Sequence, residues 1–458
     1  MFIDHNYIER VLEEGKSIQL GEIEGILAKA RGAKGLTHLE VAKLLQVKDP
    51  ETWQSIFHLA GEIKQSIYGN RVVVFAPLYI SDYCVNNCTY CGFRRDNEHP
   101  RHRLTQEQIR REVQLLERMG HKRIALEAGE DPVHCDLDYV LESLDTIYET
   151  GYEKGEIRRV NVNIAATTVE NYRRLKEKNI GTYILFQETY HQPTYERVHP
   201  KSIKGDYLYH TTAFDRAMEA GIDDVGGGVL LGLYDYRFEL LALLLHNDHL
   251  EEQFGVGFHT VSVPRLRPAE GVSLEQFPYL VDDEMIKKIV ALIRLALPFT
   301  GIILSTRESA ELRREVIRYG VSQVSAGSST GVGGYQAQEE GMNKDQFNVE
   351  DHRTPVEVLK ALIEDGFTPS YCTACYRQGR TGDRFMQLAK SGQIQNVCGP
   401  NALMTLMEFI LDYGDEELLG QGRALIEREA QLIEREDIRN LLLRNLERIQ
   451  KGERDFYL

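Results

Sequence analysis

Six of the seven cysteines fall into two triplets: Cys84, Cys88 and Cys91 in a C-x3-C-x2-C loop, and Cys372, Cys375 and Cys398 in a C-x2-C-x22-C arrangement. An odd total split this way does not make a disulfide framework, and metal binding is the chemistry it suits. Thiolates in threes match an iron–sulfur cubane whose fourth iron has no protein thiolate and stays open to another ligand. Zinc competes. At the first loop it would have to recruit His99 or His102 to complete four ligands, and at the second the C-x2-C pair is its preferred knuckle. Cys135, alone before Asp136, reads as a structural or surface thiol.

The elements that must position these residues follow one rhythm. From Arg71 onward, short β-branched runs alternate with amphipathic helical stretches, the pattern of βα units and a parallel sheet. The runs are Arg71 to Ile80, Arg123 to Gly129, Arg158 to Ala165, Thr182 to Glu188, Asp223 to Leu231, Gly257 to Pro264, Gly301 to Arg307 and Val321 to Gly327. Eight such repeats predict an α/β fold, a (β/α)8 TIM-type barrel over 68–370. Ahead of it, 1–67 reads as a helical extension. There Thr37 and Glu40 have the spacing of a capping box, and Pro50 opens a helix with Trp53, Ile56, Phe57 and Ile63 on one face. Behind it, 371–458 reads as a mostly helical iron–sulfur domain.

On this fold, side chains that do chemistry gather at the C-terminal ends of the strands. The first strand run leads into the cysteine loop, the second ends in Ala128-Gly129-Glu130, the third carries Asn161 and Asn163, and the fourth ends in Gln187-Glu188-Thr189. The sixth leads to Arg265 and Arg267, the seventh ends in Ser305-Thr306-Arg307, and the eighth carries Ser325, Gly327 and Ser328. An arginine can offer a carboxylate a bidentate fork, and at this mouth Arg307, with a hydroxyl from Ser325, is the first choice for that role. Arg265 is the second choice. Either arginine could instead close an ion pair with a local acid such as Glu308.

The first cysteine loop, with Tyr90 just before its last cysteine, resembles the signature of radical S-adenosylmethionine (SAM) enzymes. The resemblance implies that Cys84, Cys88 and Cys91 hold a 4Fe-4S cluster whose open iron chelates SAM, and that the reduced cluster cleaves SAM to a 5'-deoxyadenosyl radical. It further implies that Gly129 and Glu130 meet the methionine amino group, that Glu188 meets the ribose, and that Tyr90 and Phe93 flank the adenine. Asn163 joins this cofactor-binding set. The run Gly226-Gly227-Gly228 with Gly232 resembles the stretch that lets backbone approach the cofactor. Relatives usually place an arginine on the helix after the fourth strand to meet the methionine carboxylate. The matching position here is His210, so Arg216 substitutes or the contact differs.

With Gln187-Glu188-Thr189-Tyr190, Val263-Pro264-Arg265-Leu266-Arg267-Pro268 and Ser305-Thr306-Arg307-Glu308, the two triplets resemble the tyrosine lyase family that matures FeFe-hydrogenase, from about Tyr68 onward. The resemblance implies cleavage of the L-tyrosine Cα–Cβ bond to p-cresol and dehydroglycine. The latter would be converted to carbon monoxide and cyanide at a second iron–sulfur cluster on Cys372, Cys375 and Cys398, supplying an Fe(CO)(CN) synthon for H-cluster assembly. His259 resembles a histidine that holds an additional iron there; a hydrogen-bonded barrel histidine is the alternative. A reductant such as ferredoxin or flavodoxin and other hydrogenase maturation proteins are the implied partners. The 2-iminoacetate synthase of thiamine biosynthesis shares the barrel motifs without the second cluster. A non-catalytic iron–sulfur scaffold would need no complete barrel with a polar mouth.

Composition sets the outer limits. The 458 residues are 42% hydrophobic and 27% charged, enough for a large core. A formal net charge of -16 gives no electrostatic reason to expect nucleic acid or an anionic membrane as partner. No run approaches the roughly 18 apolar residues of a membrane span, and no basic N-terminus precedes a signal core, so the expected compartment is the cytoplasm.

Overall fold

A computed structural model describes residues 2–341 and 346–458. Eight parallel strands close into a barrel: β1 (Arg71–Ser81), β2 (Arg123–Ala128), β3 (Arg159–Asn163), β4 (Tyr183–Ile184), β5 (Val225–Gly228), β6 (Thr260–Ser262), β7 (Gly301–Leu304) and β8 (Gln323–Ser325). Closure comes from β8 pairing back onto β1 in the register Val73↔Gln323. The expected strand runs lie where the repeats place them, and some are shorter. The run from Thr182 forms a two-residue strand. Its in-line hydrogen bonds nevertheless continue, Leu185 N to Gly226 O at 3.0 Å and Gln187 N to Gly228 O at 2.9 Å.

A ninth strand, β9 (Thr368–Ser370), pairs with the first residues of β1 outside the closed ring, Arg71 facing Thr368. It delivers the chain to Cys372 at the end of the barrel where the strands begin. Cys398 arrives on the helix Gln395–Asp412, which packs on β9 and on the helices Glu416–Gln431 and Glu436–Gln450.

Four helices precede β1. Thr37 and Glu40 form the expected capping box, and Pro50–Tyr68 packs its apolar face on Asp283–Ala296. Buried Lys64 donates from Nζ to Ile317 O at 2.7 Å, tying this helix to the barrel's outer layer. One hydrophobic cluster runs through Ile8, Trp53, Val74, Leu126, Leu403 and Leu446, so the core is continuous from the first helices to the last. Among the described residues no helix is long and apolar enough to cross a membrane.

Candidate functional site

The first cysteine loop is fastened by its backbone to the end of β2, to the last residue of the helix Gln192–Val198 and to itself. Val85 N donates to Glu130 O at 2.8 Å, Thr89 N to Val198 O at 2.9 Å and Arg95 N to Asn86 O at 2.7 Å. Asn86 works in both directions, donating from Nδ2 to Glu130 Oε2 at 2.5 Å and accepting from Lys204 N at 3.0 Å. Gly129 is needed because the loop lies against it. A Cβ there would stand 2.3 Å from Tyr83 O and 3.2 Å from Cys84 Cβ. Sequence spacing alone does not show this close approach.

The loop faces a cavity of about 270 Å³ at the C-terminal mouth of the barrel. Cys84, Cys88, Cys91, Tyr90, Phe93, Gly129, Glu130, Asn163, Glu188, Arg307 and Ser325 all line it. Glu188 adopts a φ of 67°, a strained backbone for a side chain of this kind, and its Oε1 accepts from Lys204 Nζ at 2.7 Å. Tyr90 Oη lies 2.7 Å from His199 Nε2. The Arg307 guanidinium sits 3.5 Å from the Phe347 ring centroid, and among the described residues no carboxylate is within ion-pair distance of it. Ser325 Oγ accepts from Thr306 N at 3.1 Å.

Burial raises all three thiols of the loop above the ordinary cysteine range, with the neighbouring thiols adding to the rise at Cys88 and Cys91. Lys204 opposes this. Desolvation disfavours its ammonium, but Glu188, Cys88 and Cys91 together outweigh that cost and hold the lysine charged. The set fits a cluster, whose iron charge stabilises thiolates that burial alone would keep protonated. Among the described residues no three His, Cys, Asp or Glu side chains converge as a single metal ion would require. A cubane asks for thiolates at separate corners instead.

A second, smaller cavity of about 50 Å³ lies at the opposite, N-terminal end of the barrel, and Cys372, Cys375, Cys398 and His259 all line it. Arg71 and Arg123, the first residues of β1 and β2, complete its wall together with Asp224. Cys375 hydrogen-bonds Cys398 and, with Arg71 and Arg380, draws the Cys398 thiol down. His259 Nε2 lies 3.8 Å from Asp224 Oδ2. Its buried Nδ1 and both oxygens of Asp224 have no hydrogen-bond partner among the described residues. Burial lowers the His259 pKa and Asp224 only partly opposes this, so the ring is neutral near pH 7. Orphaned buried polar atoms are costly, and a ligand in the cavity would explain them.

The two cavities are stacked along the barrel axis. On β1, Val73 lines the lower cavity and Phe75 the upper; on β7, Gly301 and Ile303; on β8, Gln323 and Ser325. Successive inward positions on a strand are about 7 Å apart, so the two cavities are lined by adjacent layers of the barrel interior.

Other expected site residues lie elsewhere. Arg265 is outside both cavities, its Nη2 bound to Glu308 at 2.5 Å and Asp283 at 2.6 Å. Gly232 is also outside, in a turn with φ of 115°. His210 does line the upper cavity, its Nε2 2.9 Å from Phe186 O, whereas Arg216 turns away to Thr167 O and the Tyr209 ring. Cys135 is partly buried, and burial pushes its thiol up to about 12. Lys204 and Glu127 are among the cavity residues that the sequence does not single out. A lone lysine in a polar loop reads as solvated. Glu127 was legible in principle, because β2 alternates Ile124 and Leu126 outward with Ala125 and Glu127 inward.

The family profile of the Radical SAM superfamily matches residues 78–246, and that of the Biotin and Thiamin Synthesis associated domain matches residues 262–368. The 2-iminoacetate synthase of Salmonella typhimurium is 31% identical over 350 residues, 76% of this chain and 90% of that one. A crystal structure of HydG, titled a maturase of the [FeFe]-hydrogenase, is 57% identical, covers 100% of both chains and superposes with a TM-score of 0.97. HydG of Carboxydothermus hydrogenoformans is 41% identical over 97% of this chain and 98% of that one, with a TM-score of 0.84. The whole chain, from the N-terminal helices to the last, is thus accounted for by one kind of relative, and it belongs to the radical SAM superfamily and, within it, to the HydG family.

Proposed function

We propose that the chain is a tyrosine lyase of FeFe-hydrogenase maturation. It would cleave the Cα–Cβ bond of L-tyrosine to p-cresol and dehydroglycine at the upper cavity, and convert dehydroglycine to carbon monoxide and cyanide at the lower one. The product is an Fe(CO)(CN) synthon for the H-cluster. One observation carries the reading: two cysteine triplets stand at opposite ends of one barrel, their cavities lined by adjacent layers of its interior. The HydG resemblance over the full chain supports it. The segment 371–458 is, in this reading, the part that separates this chain from 2-iminoacetate synthase. That relative is the shorter protein, since 350 aligned residues make up 90% of it and 76% of this chain.

When bound, the first cluster and SAM supply a 5'-deoxyadenosyl radical. The rest falls to the protein. Cys84, Cys88 and Cys91 hold the cluster, Tyr90 and Phe93 flank the adenine, Glu130 accepts from the methionine amino group and Glu188 from the ribose hydroxyls. Lys204, charged and lining the same cavity as the cysteine loop, would meet the methionine carboxylate, a reading supported by His210 Nε2 lying at Phe186 O and Arg216 pointing to Thr167 O. Arg307, with no carboxylate within ion-pair distance among the described residues, takes the tyrosine carboxylate, with Ser325 beside it. The closed barrel wall keeps water from the reacting centre. Below, Cys372, Cys375 and Cys398 hold the second cluster and His259 an additional iron. A small electron carrier such as ferredoxin or flavodoxin would supply the reducing electron.

The test is anaerobic reconstitution with iron and sulfide, reduction, and addition of SAM with tyrosine. Deoxyadenosine, p-cresol, carbon monoxide and cyanide are expected. Absence of deoxyadenosine and cresol rejects the lyase. Cresol with neither carbonyl nor cyanide would favour the 2-iminoacetate synthase reading, which the 31% identity makes the second choice.

A further inference from the structure

Glu127 has no part in the cofactor contacts above, yet it projects into the same cavity as the substrate arginine. Its place follows from strand geometry. Ile124 and Leu126 of β2 are fully buried on the helix side, which turns Ala125 and Glu127 inward. The register pairs Glu127 with Tyr79 on β1 and with Asn163 on β3, and both neighbours line the cavity too. Asn163 donates from Nδ2 to Glu127 Oε2 at 2.7 Å, and no other hydrogen bond or ion pair reaches this carboxyl among the described residues.

Glu127 and Arg307 thus share one enclosed space without pairing to each other. A half-buried acid and a half-buried guanidinium face the same cavity unpaired, and each lacks the partner that an amino-acid zwitterion carries. We propose that Glu127 receives the ammonium group of the amino-acid substrate and accepts one of its protons, while Arg307 holds the carboxylate. The N–H bonding pair stays on nitrogen, the proton moves to a Glu127 oxygen, and the amine is left neutral with its remaining N–H bonds. No oxidant or reductant is involved. This rests on the amino-acid substrate proposed above and deepens it, since it assigns the ammonium end of that substrate to a named side chain.

The electrostatic setting agrees. Burial pushes the Glu127 carboxyl up to about 8, against the lowering effects of Asn163 and Arg307. A base so perturbed is matched to an amine far better than an ordinary glutamate is. The charged and titratable groups that face it are Arg307, from the loop after β7, and Tyr79, from β1, whose phenol burial and Glu127 both push up.

The experiment uses the cluster-loaded full chain with SAM bound. Equilibrium dialysis measures the affinity for tyrosine and for 3-(4-hydroxyphenyl)propanoate, which keeps the ring and carboxylate but lacks the amine. Glu127→Gln preserves the size and the acceptor for Asn163. It should weaken tyrosine binding by about tenfold or more and leave the propanoate unchanged, while the pH at which cresol formation rises moves upward. Glu127→Asp should restore part of the discrimination. If the variant binds both compounds as the wild type does, or loses both equally, the inference is overturned: the first outcome removes the contact and the second makes the role structural. Wild-type protein that discriminates tyrosine from the propanoate yet forms no cresol would instead overturn the lyase reading and leave the ammonium site standing.

Discussion

The two ends of the barrel use the same three-thiol device in unlike surroundings. The upper cavity, about 270 Å³, has polar groups from nearly every strand end and a cysteine loop sewn to its neighbours by backbone hydrogen bonds. The lower, about 50 Å³, has two arginines, a neutral histidine and an aspartate whose carboxylate has no hydrogen-bond partner among the described residues. Size alone separates what they can take. Small-molecule sites usually run to about 300–1,000 Å³, whereas a water occupies about 30 Å³ of liquid. The upper end has far more free room than the lower, which suits a larger ligand above and a smaller one below.

The largest effects should come from breaking either end alone. Cys88→Ala removes a thiolate from the open-iron site and should abolish deoxyadenosine, cresol and carbon monoxide together, read by chromatography and by carbon monoxide capture on haem protein. The pair Cys372→Ser with Cys375→Ser should leave cresol within about twofold of wild type while carbon monoxide falls to background, since every lower residue lies beyond the substrate cavity. Cresol lost in step with carbon monoxide would mean that the ends do not act separately.

Within the upper end, Lys204 is the next test. Removing one charge-assisted contact costs about 1.5–3 kcal/mol, or roughly ten- to hundredfold in affinity. Lys204→Met should weaken SAM binding by that factor while iron content of the reconstituted protein stays the same. Decarboxylated SAM gives the control: its affinity should be nearly equal for the two proteins. A variant that binds SAM normally would remove Lys204 from the methionine carboxylate.

Much of this arrangement was legible in the sequence, and what was not has physical reasons. The barrel follows from β-branched runs at regular intervals, and its mouth from the rule that strand ends hold the chemistry, which brought Glu130, Glu188, Arg307 and the cysteine loop to one cavity. β9 was missed because Thr-Pro-Ser reads as a turn, although it is the strand that ties Cys372 to the start of β1. Lys204 was missed because nothing local distinguishes a buried lysine from a solvated one; its burial depends on Glu188 and the thiols brought together by the fold. Arg265 and Arg307 look alike in sequence. The structure parts them, because Glu308 and Asp283 already satisfy Arg265.

The mildest break is at the lower end, where His259 stands with a bare buried nitrogen. Burial lowers its pKa, so at pH 7 the imidazole carries no charge, and replacing it removes a lone-pair donor rather than a cation. His259→Ala should therefore leave SAM cleavage, cresol and the two arginines' electrostatics as they are. Iron bound per chain should drop, and the yield of iron carbonyl cyanide, followed by the infrared bands of the bound diatomics, should fall severalfold rather than vanish, because the three thiols remain. Lowering the pH toward the histidine's depressed pKa should mimic the substitution only in acid, since protonation is what takes the lone pair away. Unchanged iron loading and unchanged carbonyl cyanide would make His259 a wall of the cavity and return the difference between the two ends to the cysteines alone.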